Sequence, residues 1–173
     1  MTIICIDVSA GKNTGWAVIR TDGTTARLLG SGTHVSTEDP LLDARQWVLY
    51  LVGAYCGTRT SKEKAASPDL LIMERNIGWG NPVVRETLGL IGGAILVTAR
   101  EEGLRTTTPT VSEMKAKVCG KGNADKKQVQ AAVEGIFGVK PETEHQGDAL
   151  GYAAHWCIEN GIEIGSSTNK TEE

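Results

Sequence analysis

The hydrophobic pattern divides the chain into elements. Residues 2–7 (TIICID) form an unbroken, β-branched run ending in a carboxylate, which predicts a buried strand. Residues 9–15 are a Gly/Ser/Asn turn. Residues 16–21 (WAVIRT) predict a second strand, Asp22-Gly23 signals a hairpin, and residues 26–34 predict a third strand. Three strands joined by short turns make an antiparallel meander. Asp39-Pro40 then opens a helix running to about Cys56, because Asp caps and Pro fits the first helical position. Residues 57–68 are polar and aperiodic, and read as an exposed mobile loop. Residues 69–74 (DLLIME) predict a fourth strand, again ending in a carboxylate. Asn81-Pro82 starts a long helix that Gly103 ends, and residues 105–108 make a fifth strand. Thr110 with Glu113 is a capping box opening a helix to about Val118. Asn123 is placed to cap a helix over 124–137. Thr143 with Gln146 makes another box, before a helix to Asn160-Gly161. The order βββαβαβααα predicts an α/β fold: a five-stranded mixed sheet flanked by helices. Residues 1–164 form one domain and 165–173 a disordered polar tail.

Composition narrows this picture. At 173 residues, with 40% hydrophobic positions and 21 glycines, the chain is one domain able to bury a core without disulfides. Cys5, Cys56, Cys119 and Cys157 are scattered, with no CxxC pair for zinc or redox chemistry. The N-terminus lacks a basic segment followed by an apolar one, and no apolar run reaches the ~18 residues of a membrane span. These features fit a soluble protein of a reducing cytosol, with no membrane partner. A net charge of −3 argues against a polycation that grips DNA by bulk charge. The total hides a split. Lys115, Lys117, Lys121, Lys126 and Lys127 face only Asp125 within residues 115–127, whereas residues 141–173 carry seven acids against Lys170.

The candidate chemistry lies at element ends. Asp7 and Glu74 each close an apolar strand, a costly place for a carboxylate unless its charge is compensated. His145 and Asp148 lie three apart in the first turn of the last helix, on one face. If the two strands are neighbours, the carboxylates repel, and a divalent metal is the natural remedy. Oxygen ligands of this kind suit Mg²⁺ or Mn²⁺. Two such ions ~4 Å apart can activate a water and stabilise a leaving oxygen in phosphodiester cleavage. Taken singly, Asp7 reads as a turn cap, His145 as an ordinary helix residue and Asp148 as a helix-dipole partner; together they point to a catalytic set. The lysine run, with Gly120-Lys121-Gly122 ahead of a helix N-terminus, suits phosphate, although charge runs are usually solvated faces. It is not a P-loop, since GxxxxGK[ST] is missing. In RNIGWGN (75–81), Arg75, Ile77 and Trp79 could meet DNA by charge, wedging or stacking, or Trp79 could pack on protein.

These residues also carry a resemblance. Asp7 followed by Thr14-Gly15, the LLIME strand with Glu74, GKGNADKKQVQ (120–130) and HQGDALGYAAH (145–155) resemble the RuvC-type Holliday-junction resolvases of the ribonuclease H-like superfamily. The resemblance spans Thr2 to about Asn160. It implies a ribonuclease H-like fold with the acidic-site positions on Asp7, Glu74, His145 and Asp148, holding two Mg²⁺ or Mn²⁺ ions. It implies DNA contacts from Lys115, Lys117, Lys121 and Lys126. It further implies a homodimer in the bacterial or phage-infected cytoplasm that nicks two opposing strands of a four-way junction, leaving 5′-phosphates. The turn VSAGKNTG lacks the family's usual Pro, and Ile77 stands where an aromatic residue is common, with Trp79 two further on; such divergence would suit a phage member. Two rivals remain: a non-catalytic branched-DNA-binding protein, which should have lost a carboxylate, and a less selective DNA nuclease. An ATP-dependent phosphotransferase would need a second domain for which there is no room.

Overall fold

The computed structural model describes residues 1–36, 39–75 and 81–165. β1 (Thr2–Asp7) is buried at every position because both its faces are covered. β2 (Asn13–Thr21) and β3 (Thr25–Val35) continue from it as an antiparallel meander. Asp22 makes the β2–β3 turn, its Oδ1 accepting from the Thr24 and Thr25 N–H groups at 2.8 Å. On the other side of β1 lie β4 (Leu70–Met73) and then β5 (Arg105–Thr107), both parallel. A sixth strand, β6 (Glu163–Ile164), pairs parallel with β3, so the sheet order is β5-β4-β1-β2-β3-β6 instead of five strands. Two residues carry no periodicity, which is why β6 is silent in the sequence.

The helices follow their caps. Asp39 accepts from Leu41 and Leu42 at the start of α1 (Pro40–Cys56). The stretch expected to be a mobile loop instead contains α2 (Ser61–Ala65), opened by a Thr60/Glu63 capping box. It is tied down by Arg59–Asp69 at 3.3 Å and Lys64–Glu102 at 2.8 Å. α3 (Pro82–Glu101) is capped by Asn81, and Gly103 turns the chain at φ 78°, where a Cβ would strike the Lys64 carbonyl oxygen at 2.4 Å. α4 (Val111–Cys119) has the expected Thr110/Glu113 box. α5 (Lys126–Phe137) is capped by Asp125, not Asn123. The Asp125 carboxylate accepts from the Gln128 N–H, and the Gln128 side chain returns to the Asp125 N–H, a reciprocal box that Asn123 cannot make. Thr143 caps α6 (Glu144–Glu159), but the Gln146 side chain reaches the Glu142 N–H and Ser31, leaving that box open.

Alternation along the strands splits the core in two. Ile3, Cys5, Ala17, Ile19, Leu70 and Ile72 face α4, α5 and α6. Ile4, Ile6, Val18, Leu71 and Met73 face α1 and α3. The result is three layers, helix–sheet–helix. By length and composition α3 is apolar enough to cross a membrane, contrary to the expectation that no segment qualifies. It packs along α1 and over the sheet, with Ile91, Ile95 and Ala99 buried.

Candidate active site

The alternation that divides the core also aims the candidate residues. Ile3 and Cys5 face α6, so Asp7, two further on, faces it as well. Leu70 and Ile72 share that face, which puts Glu74 there too. β1 and β4 are parallel neighbours with Ile6 opposite Met73, and the Glu74 N–H donates to the Ile6 carbonyl at 3.3 Å. The two strand-end carboxylates therefore stand side by side, as expected. Gly15, opposite Asp7 on β2, faces α6 by the same parity. A Cβ there would lie 1.8 Å from the His145 carbonyl oxygen, so the first turn of α6 rests directly on the β2 backbone. Thr33–Thr143 at 2.5 Å and Gln146–Ser31 at 3.0 Å fasten that turn to β3.

Asp7 is 4% exposed, and its Oδ2 meets His145 Nδ1 at 2.7 Å. Burial, the hydrogen bond that protonated Glu74 donates to Asp7, and the charges of Asp7 and Asp148 push Glu74 up to about 8, with Lys115 offsetting part of the rise. Burial and the Asp7 charge push Asp148 up to about 6, against the pull of Lys115, His145 and Lys126. The Asp7 hydrogen bond raises His145 above the usual imidazole range. All four residues open on a cleft of about 630 Å³, walled by Arg85 and Leu88 of α3, Ser112 of α4, and Lys126.

The expected DNA-contacting residues do not form one patch. Lys126 lines this cleft and pairs with Glu144, while half-buried Lys115 acts on both Glu74 and Asp148. Lys121 is exposed in the α4–α5 turn. Lys117 borders a separate cleft of about 500 Å³ beside His155, and exposed Arg75 borders both clefts. Ile77 and Trp79 lie outside the described residues. Arg85 and Ser112 were not evident from sequence, because neither belongs to a motif.

The donor set fits a divalent cation in kind. Three carboxylates and an imidazole converge, and their mutual repulsion calls for positive charge. Among the described residues, however, no three potential ligand side chains already stand at metal spacing. The side-chain geometry is that of the Asp7–His145 hydrogen-bonded pair. The backbone fixes where these groups converge, and their side-chain torsions are free to adjust around a cation.

A mixed sheet of three antiparallel strands extended by parallel ones is the ribonuclease H-like fold, here with carboxylates at adjoining strand ends. The particular family follows from comparison with known proteins. The model of the crossover junction endodeoxyribonuclease RuvC family matches residues 3–155, and the chain belongs to that family. The crossover junction endodeoxyribonuclease RuvC of Marinobacter nauticus is 31% identical over 153 residues, covering 87% of this chain and 83% of that protein. The protein of the same name from Akkermansia muciniphila is 31% identical over 156 residues, covering 87% and 86%. Among solved structures, Thermus thermophilus RuvC superposes with a TM-score of 0.73 at 24% identity, over 91% of this chain and 94% of that one. The T. thermophilus RuvC in complex with Holliday junction substrate gives 0.76 at 24%, over 93% and 95%. By family the chain is an endodeoxyribonuclease, and the family is metal-dependent.

Proposed function

We propose that this chain resolves four-way DNA junctions as a homodimer, hydrolysing one phosphodiester in each of two opposing strands with two Mg²⁺ or Mn²⁺ ions per site. The observation that carries the reading is the convergence of Asp7, Glu74, His145 and Asp148 at one cleft in a chain of this family. Asp7, Glu74 and Asp148 would hold the ions, with His145 beside them. When bound, the ions supply Lewis acidity toward the attacking water and the leaving oxygen. Cleavage of the P–O3′ bond leaves a 5′-phosphate and a 3′-hydroxyl. His145 is committed to Asp7 through Nδ1, which leaves Nε2 as the nitrogen that can take the water's proton or bind a cation. Because Glu74 is raised to about 8, cation binding there releases a proton near neutral pH. Lys115 and Lys126 supply positive charge to the scissile phosphate, and Arg75 reaches the flanking backbone.

The pairing of subunits rests on α3. Val83, Leu90 and Val97 are 66, 54 and 59% exposed and recur every seven residues along one face, with Gly93 open beside them. Such a stripe is self-complementary about a two-fold axis. Acting on DNA as its bacterial relatives do, the protein would work in the cytoplasm of a bacterial or phage-infected cell.

The test incubates the protein with a synthetic four-way junction and a matching linear duplex, with and without Mg²⁺. The expected result is paired nicks in the junction alone, only with Mg²⁺. Asp7→Asn should abolish cleavage and retain junction binding in a gel shift. Equal cleavage of both DNAs would make the protein a general nuclease, and cleavage by Asp7→Asn would remove Asp7 from the metal site.

A further inference from the structure

Tyr152 lies one turn beyond Asp148 on the same face of α6, the helix whose first turn lines the cleft. It is 0% exposed, in the core layer between the sheet and α4–α6. Its hydroxyl is buried and has no hydrogen-bond partner among the described residues. An orphaned buried hydroxyl is a net cost, and phenylalanine would fill the same volume without it. The hydroxyl is not in neutral surroundings either. The carboxylates whose charge bears on it are, in order, Glu74, Asp7, Asp148 and Glu113. Glu74, the foremost of them, is the carboxylate whose backbone ends β4 on the α6 face.

We infer that Tyr152 is a positioning residue whose hydroxyl donates to the ionised Glu74 carboxylate from below and holds it in its cation-binding pose. This rests on the metal-site reading above. A donor supplied from the core occupies one lone pair of Glu74 and leaves the other oxygen turned to the cleft. Such outer partners of ligating carboxylates tune metal affinity without touching the metal. Nothing in the site's motif marks the residue, because a tyrosine amid LGYAA reads as core.

The experiment measures Mn²⁺ binding to the full chain by electron paramagnetic resonance, alongside melting in EDTA, for wild type, Tyr152→Phe and Glu74→Gln. Tyr152→Phe should weaken Mn²⁺ binding about tenfold, as expected for losing one charge-assisted hydrogen bond. Its midpoint in EDTA should equal or exceed that of wild type, because the substitution removes only the orphaned group. Saturating Mg²⁺ should restore junction cleavage. Mn²⁺ binding by Tyr152→Phe equal to that of wild type overturns the inference alone. Wild type that binds no Mn²⁺, or Glu74→Gln that binds as wild type does, overturns the metal site and this inference with it. Weakened binding accompanied by a midpoint several degrees lower in EDTA also overturns it, since the hydroxyl is then structural.

Discussion

At the scale of single residues, the site's character comes from crowding carboxylates that the backbone cannot separate. Asp7 is fixed by β1 and by the imidazole of His145, so Glu74 and Asp148 absorb the repulsion, and both rise, to about 8 and about 6. In an unfolded chain both would titrate near 4. A carboxyl raised by folding favours the folded state in its protonated form. Its contribution is complete below the unfolded pKa and is lost as pH rises through the folded value. His145, raised by Asp7, acts with the same sign, its contribution fading as pH rises above the ordinary imidazole range. The melting midpoint in EDTA should therefore fall between pH 5 and about 8.5. Glu74→Gln should flatten most of that slope, and Mg²⁺ should offset it. Calorimetry across this range decides the matter: a midpoint that is level or rises with pH would show that the carboxylates are not crowded as described. The Asp7–Glu74 pairing was legible in the sequence, because each closes an apolar strand. The Asp7–His145 bond was not, since it joins residues 138 apart and depends on how closely α6 can settle.

At the scale of elements, that settling depends on Gly15. α6 is built of small buried residues on more than one side, Gly147, Ala149, Gly151, Ala153 and Ala154, and the helix lies across β1, β2 and β4. Its first turn stops only where the Gly15 backbone meets the His145 carbonyl. Gly15→Ala must push that turn away and stretch the Asp7–His145 bond. The expected cost is about 3 kcal/mol or more, a fall in midpoint of roughly 6–12 °C for a chain of this size, with cleavage lost. Gly53→Ala is the internal control: it lies in the last turn of α1 with nothing near its Cβ position, so it should stabilise by up to about 1 kcal/mol. Thermal melts of the two variants should move in opposite directions, and an unshifted Gly15→Ala would refute the contact. The elements legible in the sequence are those whose caps and apolar periodicity agree, such as α1, α4 and the meander. α2 was missed because its capping box sits in a segment with no buried residue in the helix, so periodicity gave no signal there. Asn123 was the expected cap of α5, and Asp125 takes the role because Gln128 stands three residues on and completes the box.

At the scale of the whole molecule, one helix joins the two functions that the sequence left apart. Arg85, Leu88 and Gly89 of α3 wall the candidate cleft, while Val83, Leu90 and Val97 present the exposed stripe on the same helix. Pairing subunits through that stripe would brace the cleft wall, so dimerisation and catalysis should be coupled. The charge distribution points the same way. With a net charge of −3, and only Lys115 and Lys126 of the lysine run directed at the cleft, one subunit holds few phosphates. Two subunits on one junction double that number, and the salt sensitivity of binding grows with it. Leu90→Glu tests the coupling, because a two-fold contact would face each new carboxylate with its copy and bury both without a partner. Sedimentation equilibrium should show a monomer, and the junction assay should show weak single nicks in place of paired ones, with a shallower salt dependence of binding. Leu42→Glu, at an exposed position of α1, should change neither. A Leu90→Glu protein that stays dimeric and cuts in pairs would place the subunit contact elsewhere and leave the α3 stripe without its role.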